Sequence, residues 1–203
     1  MRTILSLLCA LGSIGAYAVA APQRVSAPTM TNLQAAFNGE SNAHARYLAF
    51  AKQADAEGYA GVASLFRAAA RAEEIHAANH AVVIKKFGDE PEAKLEVPVV
   101  KSTKENLEAA IAGETYERDV MYPTFIRQAK SEANTAALQT LTFALAAEVE
   151  HANLYTEALR NLPSMTTSMV FYVCPVCGFT ASKPDFQRCP TCATPKERFE
   201  QVG

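Results

Sequence analysis

The sequence has little net charge and no run of basic residues. Its 203 residues include 19 Lys and Arg against 21 Asp and Glu, a formal net charge of -2 at pH 7. Proteins that bind nucleic acid usually present a basic patch or stripe, so the composition argues against that class of function. Charged residues make up 20% and hydrophobic residues 49% of the chain, which are the proportions of a folded rather than a disordered protein.

Cysteine is missing from most of the chain. Four of the five cysteines lie within the last thirty residues, and the fifth, Cys9, lies in an apolar N-terminal stretch. A chain of this length has room for one medium domain and a small module. The cysteine-containing segment, residues 170–203, is too short to build its own apolar core and therefore needs a covalent or metal cross-link.

The first twenty residues have the layout of a secretory signal peptide. Arg2 precedes an apolar run over residues 4–20, and Ala18-Val19-Ala20 reads as a cleavage site. An uncleaved anchor helix is the alternative, because a run of about 17 apolar residues lies at the lower limit of a membrane span. The small residues and the cleavage site favour removal. We therefore expect an exported, periplasmic protein with no membrane segment after cleavage.

Four helices are predicted between residues 31 and 161. Alanine-rich composition and leucines spaced by 3.6 residues support each of them. A capping box at Ser102 and Glu105 opens the third helix. The predicted helices cover about residues 31–57, 61–87, 102–130 and 133–161. The longer connection at residues 89–101 is a crossover, so we predict a mainly α fold in which residues 21–163 form a four-helix bundle.

An internal repeat divides this helical region into two related helix pairs. Residues 32–40 read NLQAAFNGE and residues 106–114 read NLEAAIAGE, 74 positions later. At a similar spacing, AEEIH at 72–76 matches AEVEH at 147–151, and Tyr47 matches Tyr122. Chance similarity between alanine-rich helices would not align Glu with Glu, His with His and Tyr with Tyr.

The repeat aligns carboxylates and histidines in the pattern of a two-metal site. The spacing of three in Glu-x-x-His places both side chains on one helix face, and each repeat contributes one such pair and one further glutamate. This is the ligand pattern of di-iron and di-manganese carboxylate bundles. Burying so many carboxylates without cations would be prohibitive, and imidazole favours iron or manganese over magnesium or calcium. The candidate ligands are Glu40, Glu73, His76, Glu114, Glu148 and His151.

Several further residues have two possible roles each. Glu117 lies three residues after Glu114 on the same face, as a seventh candidate ligand or as a surface glutamate beside Arg118. Tyr47 and Tyr122 follow Glu40 and Glu114 by two turns, where a phenol can donate a hydrogen bond to a ligand carboxylate or pack as a core aromatic. The remaining histidines, without a counterpart in the repeat, are predicted to lie in a second layer behind the ligands or at the surface: His44 and His80.

The four C-terminal cysteines form two Cys-x-x-Cys pairs separated by eleven residues: Cys174, Cys177, Cys189 and Cys192. This spacing is typical of tetrahedral thiolate sites for zinc or a single iron. A zinc ribbon is the alternative, but Tyr172, Gly178-Phe179 and Phe199 make the segment more similar to a rubredoxin. Ala193 replaces a glycine that rubredoxins usually carry at a position favouring positive φ.

Together these motifs resemble the rubrerythrin family over about residues 30–200: GESNAHARY, RAEEIH, GETYERDVMYP, AEVEH and CPVC…CPTC, in the family's order. The resemblance implies a ferritin-like di-iron bundle followed by a rubredoxin-like domain, and reduction of hydrogen peroxide to water. It implies that His76 replaces Glu117 as a ligand when one iron shifts on reduction. Tyr47 and Tyr122 would be hydrogen-bond partners of the carboxylates. The implied iron ligands are Glu40, Glu73, Glu114, Glu117, Glu148 and His151.

The resemblance also implies the cofactors and partners. Two non-haem iron ions would occupy the bundle and one iron, replaceable by zinc, the four-cysteine site. A reductase or a small redox protein would donate electrons. The chain would form a homodimer in which one subunit's rubredoxin domain approaches the other's di-iron site. The family is usually cytoplasmic, so an exported member departs from it and would need a periplasmic donor.

Two other classes of function stay open on the sequence. The first is an iron-handling protein that oxidises ferrous iron in the manner of ferritins. The second is a partner-binding protein cross-linked by zinc, with a degenerate bundle site. The stoichiometry of peroxide reduction distinguishes the first from a peroxidase, and the metal bound by the cysteines distinguishes the second.

Overall fold

The computed structural model describes residues 26–203, so the predicted signal peptide lies outside the described residues. Five α-helices are present: α1 Ala27–Ala56, α2 Ala60–Lys86, α3 Thr103–Tyr116, α4 Tyr122–Ser131 and α5 Thr135–Arg160. A π-helix, Glu117–Met121, joins α3 directly to α4, so these two helices act as the third helix of a four-helix bundle. The predicted mainly α fold with a long crossover is confirmed. Within residues 26–203, no helix is long and apolar enough to cross a membrane.

The helix ends follow the local signals in the sequence. Gly58 and Gly88 follow α1 and α2 with φ of 83° and 85°, a left-handed conformation that glycine adopts without steric cost. At the start of α3, Ser102 and Glu105 form the predicted capping box, each side chain bonding the other's backbone N–H. These ends fix the lengths of the helices and therefore the level at which each glutamate enters the bundle.

The π-helix explains a change of spacing within the repeat. The first repeat segments are 74 residues apart, whereas Tyr47 and Tyr122 are 75 apart. A π-helix accommodates one additional residue within an otherwise α-helical run. The extra residue of the second half is therefore absorbed at Glu117–Met121, and the residues on both sides keep their faces toward the bundle interior.

The crossover between α2 and α3 runs extended along α1. Three amide side chains on one face of α1, four residues apart, bond its backbone: Gln34, Asn38 and Asn42. Gln34 Nε2 donates to the carbonyl of residue 90 at 2.6 Å. Asn38 Oδ1 accepts from the N–H of residue 94, and Asn42 Oδ1 from that of residue 96, both at 2.8 Å. We call residues 90–101 the strap, and it covers α1 without contributing to the core.

Two apolar clusters fill the bundle on either side of its middle. One contains aromatic rings, with Tyr47, Phe66 and Tyr155 in mutual contact at centroid distances of 5.2 to 5.9 Å. The other is mostly aliphatic, includes Leu33 and Leu141, and also contains Tyr122. The candidate ligands occupy the helix positions between these clusters, which close the middle of the bundle to solvent at both ends.

The C-terminal domain is a small three-stranded antiparallel sheet. Its strands β1 Phe171–Val173, β2 Thr180–Ala181 and β3 Glu200–Val202 lie in the order β2-β1-β3. Short 3₁₀-helices, Leu162–Ser164 and Lys196–Arg198, lie before β1 and before β3. The sheet packs on α2, where Arg71 Nε and Nη2 donate to the two carboxylate oxygens of Glu200 at 2.6 and 2.9 Å. Asn79 Nδ2 also donates to the carbonyl of Val176 at 2.9 Å.

Ala193 has φ of 60°, as expected from the glycine it replaces, and this conformation costs an L-residue about 1–2 kcal/mol. We predict that Ala193→Gly stabilises the C-terminal domain by about 1 kcal/mol. The measurement is denaturant-induced loss of metal from the cysteine site, followed by its thiolate absorption. Ala133→Gly relieves a similar φ of 52° in the turn between α4 and α5 and serves as the control. Equal effects of both substitutions on metal retention would contradict the prediction.

Candidate metal centres

Four helices bring the candidate ligands into the middle of the bundle. Glu40 lies on α1, Glu114 on α3, and α2 and α5 each supply a Glu-x-x-His pair. All six side chains are buried, at most 1% exposed. Their ligand atoms form two groups, in each of which the atoms lie within 4.8 Å of one another. The groups are Glu40, Glu73, His76 and Glu148, and Glu73, Glu114, Glu148 and His151.

The two groups share Glu73 and Glu148. This arrangement provides two adjacent cation positions with a pair of carboxylates between them. Glu40 and His76 complete one position, and Glu114 and His151 complete the other. The sequence repeat thus becomes a two-fold pseudo-symmetric site in which each half supplies a shared carboxylate and a terminal one.

Outward hydrogen bonds orient both histidines. His76 Nε2 lies 3.1 Å from the carbonyl oxygen of Cys177, and His151 Nε2 lies 3.1 Å from Thr180 Oγ1. A carbonyl oxygen only accepts hydrogen bonds, so His76 Nε2 carries a proton. In each ring Nδ1 points to the carboxylates, 2.8 Å from an oxygen of Glu73 or Glu148. Nδ1 is therefore the metal-facing atom of both histidines.

The histidines and the shared carboxylates hold opposite charges when no metal compensates them. Burial disfavours the imidazolium, but Glu148 and Glu73 outweigh it and raise the pKa of His76 to about 9. His151 shifts in the same direction: burial again opposes, and the same two carboxylates raise its pKa well above the ordinary value. For Glu73, burial opposes ionisation, yet His151 and His76 hold its pKa below the usual range.

The terminal carboxylates behave in the opposite way. Burial, followed by the charges of Glu73 and Glu148, raises the pKa of both Glu40 and Glu114 well above the ordinary value. In the absence of metal, protons on the terminal glutamates and histidines therefore offset the charge of the cluster. Cations binding there would displace these protons.

Four buried carboxylate oxygens show that the cluster fits metal ions. One oxygen on each glutamate of the two groups has no hydrogen-bond partner: Glu40 Oε2, Glu73 Oε1, Glu114 Oε2 and Glu148 Oε1. Two of them are in ion-pair contact with a histidine Nδ1, Glu148 Oε1 at 3.1 Å from His76 and Glu73 Oε1 at 3.3 Å from His151. An unpaired buried oxygen is costly, and the four converge on the same interior. A mixed set of carboxylates and imidazoles suits iron or manganese.

Two tyrosines bond the terminal carboxylates across the repeat. Tyr47 Oη donates to Glu114 Oε1 at 2.5 Å, and Tyr122 Oη donates to Glu40 Oε1. Each tyrosine thus holds the terminal glutamate of the other half. Burial, then the adjacent carboxylate, raises the pKa of both phenols well above the ordinary value, so they act as hydrogen-bond donors.

His80 is buried next to this network, in the second layer behind the ligands that was one of its two predicted positions. Its Nε2 lies 3.3 Å from Tyr122 Oη, and its Nδ1 lies 2.9 Å from Thr140 Oγ1. Burial lowers the pKa of His80 to about 3, so the ring is neutral. At the 75-residue spacing, its counterpart is Tyr155, which packs on Tyr47 at 5.5 Å. Applying that spacing to the sequence would have found this pair. His44 instead contacts the carbonyl of Ala70 at 2.7 Å.

Glu117 lies at the first position of the π-helix and is half-buried. It does not belong to the two groups of ligand atoms, in which His76 takes part. It is nevertheless near the cluster, because burial and the charges of Glu148 and Glu73 raise its pKa well above the ordinary value. Arg118 pairs with Asp119 at 2.7 Å rather than with Glu117. The role of Glu117 as a ligand stays a prediction.

The four cysteines also converge, within the C-terminal domain. Their Sγ atoms lie within 4.8 Å of one another, with distances of 3.5 Å from Cys174 to Cys192 and from Cys177 to Cys189. All four are free thiols. Tetrahedral coordination with metal–sulfur bonds of about 2.3 Å requires sulfur separations of about 3.8 Å, so the cysteines are placed for one metal ion.

Fold and sites together define a ferritin-like di-metal carboxylate protein with an appended four-cysteine metal domain. A family model described as Rubrerythrin matches residues 31–159. Nigerythrin of Nitratidesulfovibrio vulgaris is 40% identical over 172 residues, which cover 84% of this chain and 85% of the relative. Rubrerythrin-2 of Clostridium acetobutylicum is 34% identical over 180 residues, covering 86% and 97%. The chain belongs to the rubrerythrin family.

Solved structures agree with this assignment. Nigerythrin in its fully reduced, all-ferrous state is similar with a TM-score of 0.81 and 34% identity, covering 97% of this chain and all of that one. A bacterioferritin of Mycobacterium tuberculosis has a TM-score of 0.64 at 20% identity, covering 70% and 90%, which shows a shared fold alone. The chain is an oxidoreductase of the rubrerythrin type, with two iron ions in the bundle and one iron in the four-cysteine site.

The shared carboxylates give a test of the two-position arrangement. We predict that Glu148→Ala weakens both metal positions and lowers the bound iron from two to below one per bundle, because both groups use Glu148. Glu40→Ala should remove one position and leave the other occupied. Iron bound to each variant is measured by elemental analysis after anaerobic loading. Glu150→Ala, on the same helix, is the control. Loss of a single iron from Glu148→Ala would contradict a shared role.

Gly178 allows the cysteine domain to approach His76. It has φ of 75°, and a Cβ there would overlap the His76 ring. Gly58 has φ of 83°, and a Cβ added there would meet open space, so Gly58→Ala isolates the conformational cost of about 1–2 kcal/mol. We predict that Gly178→Ala lowers the melting temperature of the metal-loaded protein clearly more than Gly58→Ala. Equal decreases in differential scanning calorimetry would show that the close approach contributes nothing.

Proposed function

We propose that this protein is a non-haem di-iron peroxidase that reduces hydrogen peroxide to water and serves in defence against oxidative stress. Electrons would reach the bundle through the Fe(Cys)4 centre of the C-terminal domain. The observation that carries the proposal is the hydrogen bond from His76 Nε2 to the carbonyl of Cys177, at 3.1 Å. It joins a ligand residue of one centre directly to a ligand residue of the other.

Ferrous iron held by the two ligand groups of the bundle would supply the two electrons that O–O cleavage requires, and iron held by the four cysteines would carry single electrons. The chain's own residues make the site suitable for this reaction. They exclude water, since every residue of the two ligand groups is at most 1% exposed. The hydroxyls of Tyr47 and Tyr122 donate hydrogen bonds to the terminal carboxylates, and these bonds fix the orientation of those ligands.

The docking of the two domains supports an internal electron route. The bidentate Arg71–Glu200 pair and the Asn79–Val176 hydrogen bond fix the cysteine domain against α2, which also carries His76. Among the four cysteines, Cys192 is half-buried and the others are buried. We propose that an external reductase or small redox protein donates electrons on the Cys192 side. In the described residues the cysteine domain contacts the di-iron ligands of its own chain, which differs from the predicted approach of one subunit's rubredoxin domain to the other's site. The homodimer itself and the periplasmic location stay predictions.

The test is a single-turnover reaction with peroxide. Anaerobically iron-loaded, fully reduced protein is mixed with one equivalent of hydrogen peroxide, and both iron chromophores are followed by stopped-flow absorption. We expect rapid oxidation of both bundle irons, with two water molecules formed per peroxide. The cysteine-bound iron should then be oxidised more slowly by passing its one electron to the oxidised bundle, so that two electrons in total are lost per peroxide. Slow or absent oxidation with both sites filled would contradict a peroxidase and favour the iron-handling or binding alternative.

The matched control carries zinc in the cysteine site and iron in the bundle. Zinc has no redox chemistry, so the first oxidation should proceed while re-reduction by an external donor fails. If re-reduction is equally fast with zinc, the electrons do not pass through the cysteine domain, although peroxidase activity itself would stand.

A further inference from the structure

The C-terminal domain contacts the second ligand histidine through a side chain. Thr180, on β2, is buried, and its Oγ1 lies 3.1 Å from His151 Nε2. The same hydroxyl lies 3.0 Å from the carbonyl oxygen of Gly178. His151 belongs to the bundle and Thr180 to the cysteine domain, so this contact joins a ligand of the bundle to the C-terminal domain.

The hydrogen-bond roles in this contact have one consistent assignment. A hydroxyl carries one proton and a carbonyl accepts only, so the Thr180 proton is donated to Gly178. The Thr180 oxygen then accepts from His151, whose Nε2 must carry a hydrogen. Nδ1 faces the carboxylates, 2.8 Å from Glu148 Oε2, and in the neutral ring with its hydrogen on Nε2 it presents a lone pair to a cation there.

We propose that Thr180 is a positioning residue of the di-iron site: its hydroxyl holds His151 in the tautomer and ring orientation that present Nδ1 to the metal. Ligand histidines depend on such outward hydrogen bonds for orientation and basicity. The backbone carbonyl of Cys177 does the same for His76. The cysteine domain therefore supplies the outward partner of both ligand histidines, and Thr180 is the partner that a substitution can remove.

Thr180 acts here on assembly of the metal site, which is independent of peroxidase activity. It predicts that the bundle position made by Glu114 and His151 is the sensitive one. Without the Thr180 hydroxyl, His151 Nε2 would face a buried apolar surface, and the opposite tautomer or a rotated ring would compete with metal binding. The position made by Glu40 and His76 keeps its Cys177 partner.

The experiment compares Thr180→Val and Thr180→Ser in the full chain with iron in the cysteine site. Valine keeps the shape and suits a strand, whereas serine keeps the hydroxyl. Anaerobic ferrous binding is measured by competition with a chelator. We expect Thr180→Val to weaken one of the two bundle positions by about 10- to 100-fold, the range for loss of such partners, and Thr180→Ser to remain within a few-fold of the parent.

Two further measurements distinguish loss of the Thr180–His151 hydrogen bond from a general disruption of the C-terminal domain. The absorption of the cysteine-bound iron should be unchanged in Thr180→Val, showing an intact domain. Thr194→Val removes another hydroxyl of this domain, 3.0 Å from Cys192 Sγ, and should leave ferrous affinity in the bundle unchanged. Parent-like binding by Thr180→Val would overturn the proposal. Equal weakening by the serine variant, or by Thr194→Val, would do so as well, because the hydroxyl would then not be the cause.

Discussion

The burial of carboxylates in the bundle interior is the constraint on which the rest of the structure depends. Four glutamates and two histidines converge where two apolar clusters exclude water. Such a concentration of acidic groups is unfavourable unless cations or protons offset it. The pKa values of the terminal glutamates and of the histidines are raised, so protons on these groups offset the charge when no metal is bound. Metal binding replaces them and thereby couples folding to the cofactor.

The internal repeat made most of the bundle site predictable from sequence. Helical period and capping residues located the helices, and the register of the repeat placed Glu40 with Glu114 and the two Glu-x-x-His pairs on one interior surface. The spacing of the two Cys-x-x-Cys pairs was sufficient to predict the second metal centre. In both cases residue spacing alone fixes the relative geometry of the ligands. The sites could therefore be predicted without knowing any tertiary contact.

What the sequence could not predict depends on contacts between distant segments. Nothing in the neighbourhood of Thr180 or Gly178 indicates that a turn of the cysteine domain meets His76 and His151, about 100 and 29 positions away in the chain. The π-helix was hidden for a different reason. It follows from a single-residue change in repeat spacing, from 74 to 75, that is visible only when both spacings are compared.

The strap shows how a structural role can be separated from amino-acid identity. Gln34, Asn38 and Asn42 contact its backbone N–H and C=O groups, while Leu95, Val97 and Val99 project outward, 65 to 92% exposed. A segment that is hydrogen-bonded through its main chain presents the same N–H and C=O groups whatever side chains it carries, provided that proline does not replace a residue whose N–H is a donor. The exposed side chains of the strap therefore have no part in holding it on α1, whereas each of the three amides supplies a contact that another side chain would lose.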